Sequence, residues 1–330
     1  MSKILVTGAN GCIGAWVVRG LLERGDEVTA FDRSSENHRL ESVIAPDRLG
    51  TVHFIEGDVT EVDAVHHAVE HHGRDGIIHL AGLQVPSCRE DPVLGAKVNV
   101  LGSLAVLEAA AEFGARVVYA SSAAVFGPDD EPTRPHVEHE TGETRTHYGI
   151  FKLANEGGAR IQFQDKGVSS VGLRPLTIYG VGRDFGMTSG PTTALKAVAL
   201  GRSHEIGFTG PTDFQLVEDV ADIFIRCLTA PPGAHVFNLH GETATVETVV
   251  TMIDEMLEAV GHDDRRGLVS CRGPHLPIPG AMDDSALSEA IGTPPRTALR
   301  EGIERTYRAF LDLKAEGRLD QRDLPSETTR

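Results

Sequence analysis

Short apolar runs alternate with longer segments of helical periodicity through the first 180 residues of the chain. Short apolar runs bounded by turn residues are typical of buried strands, and apolar positions three and four apart are typical of amphipathic helices. The pattern predicts six strands, at 3–6, 27–32, 51–56, 76–81, 116–121 and 168–174. Because strands that alternate with helices pair in parallel, we expect an α/β fold with a doubly wound parallel sheet.

The pattern changes after about residue 180, where glycine and proline interrupt shorter segments. Helical periodicity returns at 192–200, 217–228, 246–260, 284–291 and 299–314. We therefore expect a sheet domain over 1–180 and a smaller, mostly helical C-terminal lobe over 181–317, with some segments crossing between the two. Open sheets of this kind bind ligands at the carboxyl ends of their strands, which is where the lobe should lie. The charged segment 318–330 is expected to fray.

The strongest local signal is the glycine-rich stretch TGANGCIG at residues 7–14, between the first strand and the first helix. Its glycines permit backbone angles closed to other residues and let a phosphate approach the main chain. The second strand ends at Asp32, where dinucleotide-binding units place the acid that binds the adenosine ribose. This order predicts NAD as cofactor in preference to NADP, although Arg33 could instead meet a 2′-phosphate. The loop residues expected to contact the cofactor are Gly8, Asn10, Gly11, Cys12, Ile13 and Gly14.

The ends of the next three strands extend the same site. Asp58 and Val59 follow the third strand, and Asp58 could hydrogen-bond the adenine. Small residues after the fourth strand would let the cofactor lie close to the sheet. The further cofactor contacts expected here are Leu80, Ala81, Gly82 and Ser121.

Tyr148 and Lys152 lie four residues apart at the start of a predicted helix, so they share one helical face. A neighbouring ammonium and a positive nicotinamide both favour a phenolate, so we expect the pKa of Tyr148 to fall towards neutrality. Tyr148 could then take a proton from a substrate hydroxyl while hydride leaves the same carbon. Ser122 would hydrogen-bond the same oxygen, and Lys152 should also reach the nicotinamide ribose. A YxxxK spacing alone is more often an ordinary surface pair, and the nucleotide loop is what favours the catalytic interpretation.

The composition of the chain limits the classes of partner that it can bind. A formal charge of -17 over 330 residues opposes nucleic acid and anionic membranes as partners. No run approaches the roughly 18 apolar residues of a membrane span, and the N-terminus lacks a signal-peptide pattern, so we expect a cytoplasmic protein. The four cysteines have no CxxC spacing, and the histidines at 66, 67, 71 and 72 are more typical of a solvated helix face than of a metal site. We expect no metal.

Together these motifs resemble the extended short-chain dehydrogenase/reductase family, also called the NAD-dependent epimerase/dehydratase family. The resemblance also covers Asn99, SSAAVFG at 121–127, LRPLTIYG at 173–180 and the segments at 283–287 and 292–303. It implies a Rossmann-type fold, cofactor contacts from Asn99 and Pro175, and a homodimer paired through the helices at 92–113 and 148–164. The substrate contacts expected are Gln84, Ser122, Ala123, Thr177, Thr188 and Ser189. The last two belong to the hydroxyl-rich stretch 187–192, which could equally be a plain loop capped by Ser or Thr before a helix.

Three positions depart from the family pattern for nucleotide-diphosphate sugars. Thr177 stands where an asparagine is usual, and Thr212 and Ile278 stand where arginines are usual. Arginine is the natural bidentate phosphate ligand, so its loss favours a smaller substrate. Arg183, Arg202 and Arg272 could compensate, but none lies at a matching motif position. We therefore expect a free sugar, sugar acid or polyol derivative.

Three hypotheses follow. The first is an NAD-dependent dehydrogenase or epimerase of a small sugar-like alcohol. The second is a nucleotide-sugar 4-epimerase or dehydratase. The third, a non-catalytic NAD-binding regulatory protein, is opposed by the intact Ser122, Tyr148 and Lys152.

Overall fold

The fold was analysed in a computed structural model, which describes residues 1–128, 134–140 and 142–324. The strands, in chain order, are β1 Lys3–Thr7, β2 Glu27–Asp32, β3 His53–Glu56, β4 Gly76–His79, β5 Val117–Ala120, β6 Ser170–Arg174, β7 Thr177–Tyr179, β8 His204–Ile206, β9 Pro211–Leu216, β10 Ala234–Asn238, β11 Glu242–Thr245 and β12 Val269–Cys271. The α-helices are α1 Cys12–Arg24, α2 His38–Val43, α3 Pro46–Leu49, α4 Val62–His72, α5 Val85–Glu90, α6 Pro92–Ala96, α7 Gly102–Phe113, α8 His147–Lys166, α9 Gly190–Ala199, α10 Val217–Arg226, α11 Val246–Ala259, α12 Ser285–Ile291 and α13 Leu299–Ala315.

Seven strands form one parallel sheet in the order β10-β6-β5-β4-β1-β2-β3. The strand order reverses beside β1, because the chain leaves β3 at one edge and re-enters the sheet at β4 on the other side of β1. Ligands bind at such a reversal, beyond the carboxyl ends of the strands. The doubly wound parallel sheet expected from the sequence is confirmed, and it places the glycine loop at this crevice.

The seventh strand, β10, was not predicted. It pairs in parallel with β6, from Ala234 opposite Ser170 to Asn238 opposite Arg174. This five-residue segment contains a histidine and lies at the edge of the sheet, so it lacks the continuous apolar run of a central strand. After residue 180 the chain therefore returns to the seven-stranded sheet through β10.

The C-terminal lobe also contains short strands that its sequence pattern does not reveal. They form a three-stranded sheet, β11-β9-β7, and a two-stranded sheet, β12-β8. The lobe is joined to the sheet domain by apolar packing of α1 against α10 and by a hydrogen bond from Trp16 Nε1 to the carbonyl of Val181, at 2.8 Å. The lobe is thus fixed over the crevice.

The charged tail is docked over its described part, contrary to the expectation that it frays. Lys196 Nζ lies 2.6 Å from Asp323 Oδ1, and both side chains are largely buried. Leu324 is also buried. Residues 325–330 of the predicted tail lie outside the described residues.

Helices α6 and α7 are continuous through a π-helical turn at Lys97–Leu101, as the predicted helix at 92–113 requires. By length and mean hydropathy, the combined segment Pro92–Phe113 could cross a membrane. More than half of its most apolar window, 56%, is buried inside the protein, as in the core helix of a folded domain. The segment is therefore weak evidence for a membrane span.

Candidate active site

The glycine loop leaves no room for side chains where it turns between β1 and α1. Gly8 has φ +71°, and a Cβ there would lie 2.5 Å from the backbone nitrogen of Ala81. A Cβ on Gly14 would lie 2.2 Å from the carbonyl oxygen of Gly8. The loop therefore packs against the end of β4 and the start of α1, leaving a backbone surface at a helix N-terminus, which favours phosphate.

Asp32 closes the loop from the second strand. Its carboxylate accepts hydrogen bonds from the backbone nitrogens of Asn10, at 3.0 Å, and Ser34, at 3.3 Å. Asn10 Oδ1 is buried and has no partner among the described residues. The adjoining cavity, of about 400 Å³, is lined among others by Gly8, Asn10, Gly11, Asp32, Arg33, Arg39, Asp58, Val59, Leu80, Ala81 and Gly82. These residues suit the adenosine and pyrophosphate of NAD.

A second cavity, of about 460 Å³, continues the first past the glycine loop. Gly8, Gly11, Leu80, Gly82 and Leu83 line both, so the two form one groove. The predicted site residues found only in the second part are Cys12, Ile13, Gly14, Gln84, Ser121, Ser122, Ala123, Tyr148, Lys152, Pro175 and Thr188.

Helix α8 positions the reactive pair. Thr146 caps the helix by accepting from the nitrogen of Gly149, at 3.0 Å, so the first turn places Tyr148 and Lys152 on one face. Lys152 Nζ lies 5.5 Å from the centroid of the Tyr148 ring and donates to the carbonyl of Ala120, at 2.7 Å. Ser122 hydrogen-bonds the Tyr148 hydroxyl. The serine, tyrosine and lysine that the sequence separates by up to 30 residues therefore meet in the groove.

Burial shifts the pKa values of both members of this pair. Burial raises the pKa of Tyr148, and the hydrogen bond from Ser122 and the charge of Arg183 oppose that rise only in part. Burial lowers the pKa of Lys152 to about 8. In the chain without cofactor, burial dominates, because removing the phenol from water penalises its charged form. The predicted fall includes the charge of a bound nicotinamide and stays a prediction for the NAD complex.

A buried hydrogen-bond chain supports the wall behind the reactive pair. Thr7 Oγ1 is 2.7 Å from His79 Nδ1, and His79 Nε2 is 3.0 Å from Ser103 Oγ, which donates to the carbonyl of Asn99. Burial and the nearby Lys152 lower the pKa of His79 to about 3, so the imidazole is neutral at pH 7. This chain joins β1, β4 and the helix that carries Asn99.

Asn99 belongs to this support and does not line the groove. It is fully buried, and its amide pairs with the backbone of Leu83 through Oδ1 and Nδ2, each at 3.1 Å. A Cβ on Gly82 would lie 2.7 Å from Asn99 Oδ1. Asn99 was predicted to contact the cofactor directly. It instead contacts the segment after β4, which lines the cofactor cavity.

Two predicted substrate residues also lie outside the groove. Thr177 is fully buried and hydrogen-bonds Thr212, with 2.7 Å between the hydroxyl oxygens. Ser189 donates its hydroxyl to the carbonyl of Gly186, at 3.0 Å. The Thr177 hydroxyl lies between β7 and β9 and the Ser189 hydroxyl stabilises a turn, and neither residue lines the two cavities.

Arg183 is a functional candidate that the sequence offered only as a possible replacement phosphate ligand, away from the matching motif positions. It lines the reactive cavity, and its guanidinium donates to Thr188 Oγ1 at 3.0 Å and to Gln84 Oε1 at 3.4 Å. Its positive charge opposes the rise in the Tyr148 pKa. The sequence signal was weak, because Arg183 lies in a loop far in sequence from the residues that it contacts.

Residues 4–239 match the family model described as the NAD dependent epimerase/dehydratase family. The chain belongs to this family. It is an NAD-dependent enzyme of the extended short-chain dehydrogenase/reductase type, with the cofactor that the glycine loop and Asp32 predicted.

Relatives of similar length are known. The UDP-glucose 4-epimerase of Mycolicibacterium smegmatis is 29% identical over 321 residues, which is 93% of this chain and 98% of the relative. The structure of the Thermus thermophilus UDP-glucose 4-epimerase in complex with NAD is 25% identical, with a TM-score of 0.79, over 94% of this chain and 99% of that chain. MoeE5 in complex with UDP-glucuronic acid and NAD is 27% identical, with a TM-score of 0.76, over 93% of this chain and 98% of that chain. The similarity thus extends through the substrate lobe.

Proposed function

We propose that this enzyme moves a hydride between NAD and a secondary alcohol carbon of a nucleotide-diphosphate sugar, as a 4-epimerase. The observation that carries this proposal is the near full-length similarity to UDP-glucose 4-epimerases, joined to a groove in which Ser122, Tyr148 and Lys152 meet. The similarity favours the nucleotide sugar over the free sugar expected from three substituted positions. It moves the free sugar to second place.

The reactive cavity offers cations for a diphosphate despite the acidic charge of the whole chain. Arg89, Arg145 and Arg183 line it. Charge-assisted bonds from arginine to phosphate are roughly twice as strong as neutral hydrogen bonds. These arginines are therefore candidates to replace the usual ligands lost at Thr212 and Ile278.

In the reaction that we propose, Tyr148 takes the proton of the substrate hydroxyl and later returns one. NAD, when bound, accepts the hydride and can give it back. Ser122 holds the same oxygen, and Lys152, protonated below a pKa of about 8, supplies a nearby positive charge. The pKa of Tyr148 is raised by burial, so the positive charges of Arg183 and of the oxidised cofactor favour its ionisation at the moment of proton transfer.

A second candidate, a dehydrogenase of a free sugar or sugar acid, is favoured by one observation. Thr177 and Thr212, which replace the usual asparagine and arginine, satisfy each other by a buried hydrogen bond. Ile278 lines the cavity with an apolar side chain. The two threonines are therefore turned away from the cavity and Ile278 is apolar, so these three positions suit a diphosphate less well than the family pattern does.

Calorimetry with NAD already bound separates the two candidates. We expect UDP, UDP-glucose or UDP-glucuronate to bind with micromolar dissociation constants, and product NMR to show epimerised sugar without net NADH absorbance. Millimolar or weaker binding of all three, together with NADH release from a free sugar or sugar acid, would overturn the first candidate and support the second. UMP serves as the control, because it keeps the uridine and lacks the diphosphate.

We also propose a homodimer built on α6, α7 and α8. Large apolar side chains remain exposed on these helices and on the turn between α6 and α7, at Val93, Leu94, Leu101, Ile150, Ile161 and Phe163. Exposed apolar patches of this kind are typical of protein interfaces. Light scattering at micromolar protein should give twice the mass of 35.4 kDa, and Ile150→Glu should shift it towards one chain.

A further inference from the structure

An ion pair bridges the groove between segments 145 residues apart in sequence. Arg39, on α2, donates from Nε to both carboxylate oxygens of Asp184, at 3.2 and 3.0 Å, and from Nη2 at 2.6 Å. Its remaining nitrogen, Nη1, donates to the carbonyl of Asn10 in the glycine loop, at 2.9 Å. One guanidinium thus connects three segments: the glycine loop, helix α2 beside the cofactor cavity, and the loop after β7.

The two residues of this ion pair lie on segments that border different halves of the groove. Arg39 lines the cofactor cavity, and Asp184 follows Arg183, which lines the reactive cavity. The side chains of Arg39 and Asp184 are 22% and 13% exposed, so water screens the pair less than an ordinary surface pair. The two parallel bonds from the guanidinium also fix the orientation of the Arg39 and Asp184 side chains relative to each other. A lysine at position 39 would not do this, because an ammonium has no planar fork.

The bridge continues into the C-terminal segment. His38 Nε2 lies 3.5 Å from Asp184 Oδ2 and 3.7 Å from Asp320 Oδ2. His38, Asp184 and Asp320 are spaced closely enough to resemble metal ligands. Because the Arg39 guanidinium already binds both oxygens of Asp184 and would repel a cation, this arrangement serves better as a clamp than as a metal centre.

We propose that Arg39 and Asp184 are positioning residues for NAD, which hold the glycine loop and the α2 wall against the substrate lobe before the cofactor binds. A preformed groove avoids ordering these segments on binding, and so increases affinity. The clamp acts through the Asn10 carbonyl and the α2 wall, so its effect should fall on the ADP-ribose part of the cofactor. It depends on NAD as the cofactor and on no particular substrate.

A double-mutant cycle tests the clamp with NAD and ADP-ribose as calorimetric probes. Arg39→Ala and Asp184→Ala should each raise both dissociation constants about tenfold. In the double variant, each dissociation constant should be about equal to that of the more affected single variant, because both changes break the same interaction. Exchange of the partners, Arg39→Asp with Asp184→Arg, should recover part of the loss.

Arg308→Ala is the matched control, because it breaks an arginine–carboxylate pair with Glu304 on the exposed face of α13. It should leave ADP-ribose affinity unchanged. All measurements are made well below the melting temperature of each variant, determined by circular dichroism, so that loss of fold cannot mimic loss of positioning. If Arg39→Ala does not fold, Arg39→Lys keeps the charge without the fork and should weaken ADP-ribose about threefold. Unchanged ADP-ribose affinity in folded variants, or losses that simply add in the double variant, would overturn the proposal.

Discussion

The two halves of the groove differ in what lines them. The cofactor half contains one local backbone feature, the glycine loop at Gly8 and Gly11, beside the side chain of Asp32 at the end of β2. The substrate half is mainly side chains from distant loops, including Gln84, Arg183 and Ile278. A backbone surface depends on glycine spacing, whereas a side-chain surface changes with each substitution. The family therefore shares its cofactor, and its substrate has to be argued from the individual chain.

The reactive tyrosine lines the substrate half of the groove, and its loss should have the largest effect. Tyr148→Phe should lower turnover by roughly 10²–10⁴-fold, the usual contribution of a positioned acid–base group, while NAD affinity stays nearly unchanged. Steady-state kinetics and calorimetry on the same preparation measure the two quantities. Tyr119→Phe is the control, because that buried hydroxyl has no partner among the described residues. Turnover close to that of the unmodified enzyme would remove Tyr148 from the mechanism.

NAD binding in the cofactor half can be disrupted by a change in the backbone of the glycine loop. Gly8→Ala should weaken NAD at least tenfold, because the new methyl group would lie 2.5 Å from the nitrogen of Ala81 and the residue has a positive φ. Gly25→Ala is a matched control: Gly25 has φ +86° at the end of α1, and a Cβ there meets nothing within 4 Å. Both variants carry backbone strain, so a loss of NAD affinity confined to Gly8→Ala assigns the effect to the groove. Equal losses in both would point to general strain.

The substrate half can be tested by restoring one arginine that is usual in the family, at position 278. Ile278→Arg should increase UDP affinity about tenfold, since one charge-assisted bond contributes about 1.5–3 kcal/mol and 1.4 kcal/mol is a factor of ten. Ile278→Leu keeps the apolar wall and should change nothing. UDP calorimetry with NAD bound measures both. No gain in Ile278→Arg would show that this wall does not face a diphosphate.

The smallest effect near neutral pH concerns stability, and it comes from the buried hydrogen-bond chain behind the reactive pair. The pKa of His79 is lowered to about 3 in the folded chain, below its usual 6.5, so the unfolded chain binds the extra proton between these values. Stability should therefore be complete above pH 6.5 and fall as pH decreases: by less than about 1 kcal/mol from pH 7 to 6, then by about 1.4 kcal/mol per unit towards pH 3. Urea unfolding of the native chain and of His79→Gln measures this slope. An equal slope in both would assign the acid sensitivity to other groups.

The sequence by itself determined the sheet and the cofactor. Strand and helix periods are local properties, and a glycine loop between strand and helix needs only neighbouring residues to be recognised. The spacing of Tyr148 and Lys152 likewise indicated a shared face, because four residues make about one helical turn.

Only the tertiary structure decided which side chains face the groove. In the folded chain, Asn99 and Thr177 are buried and hydrogen-bond other protein groups. Strand β10 pairs at the edge of the sheet. Arg183 contacts Gln84 and Thr188. The folded chain also shows that burial raises the Tyr148 pKa before any cofactor charge is added. These outcomes depend on packing between segments up to about a hundred residues apart, and periodicity and spacing carry no information about such contacts.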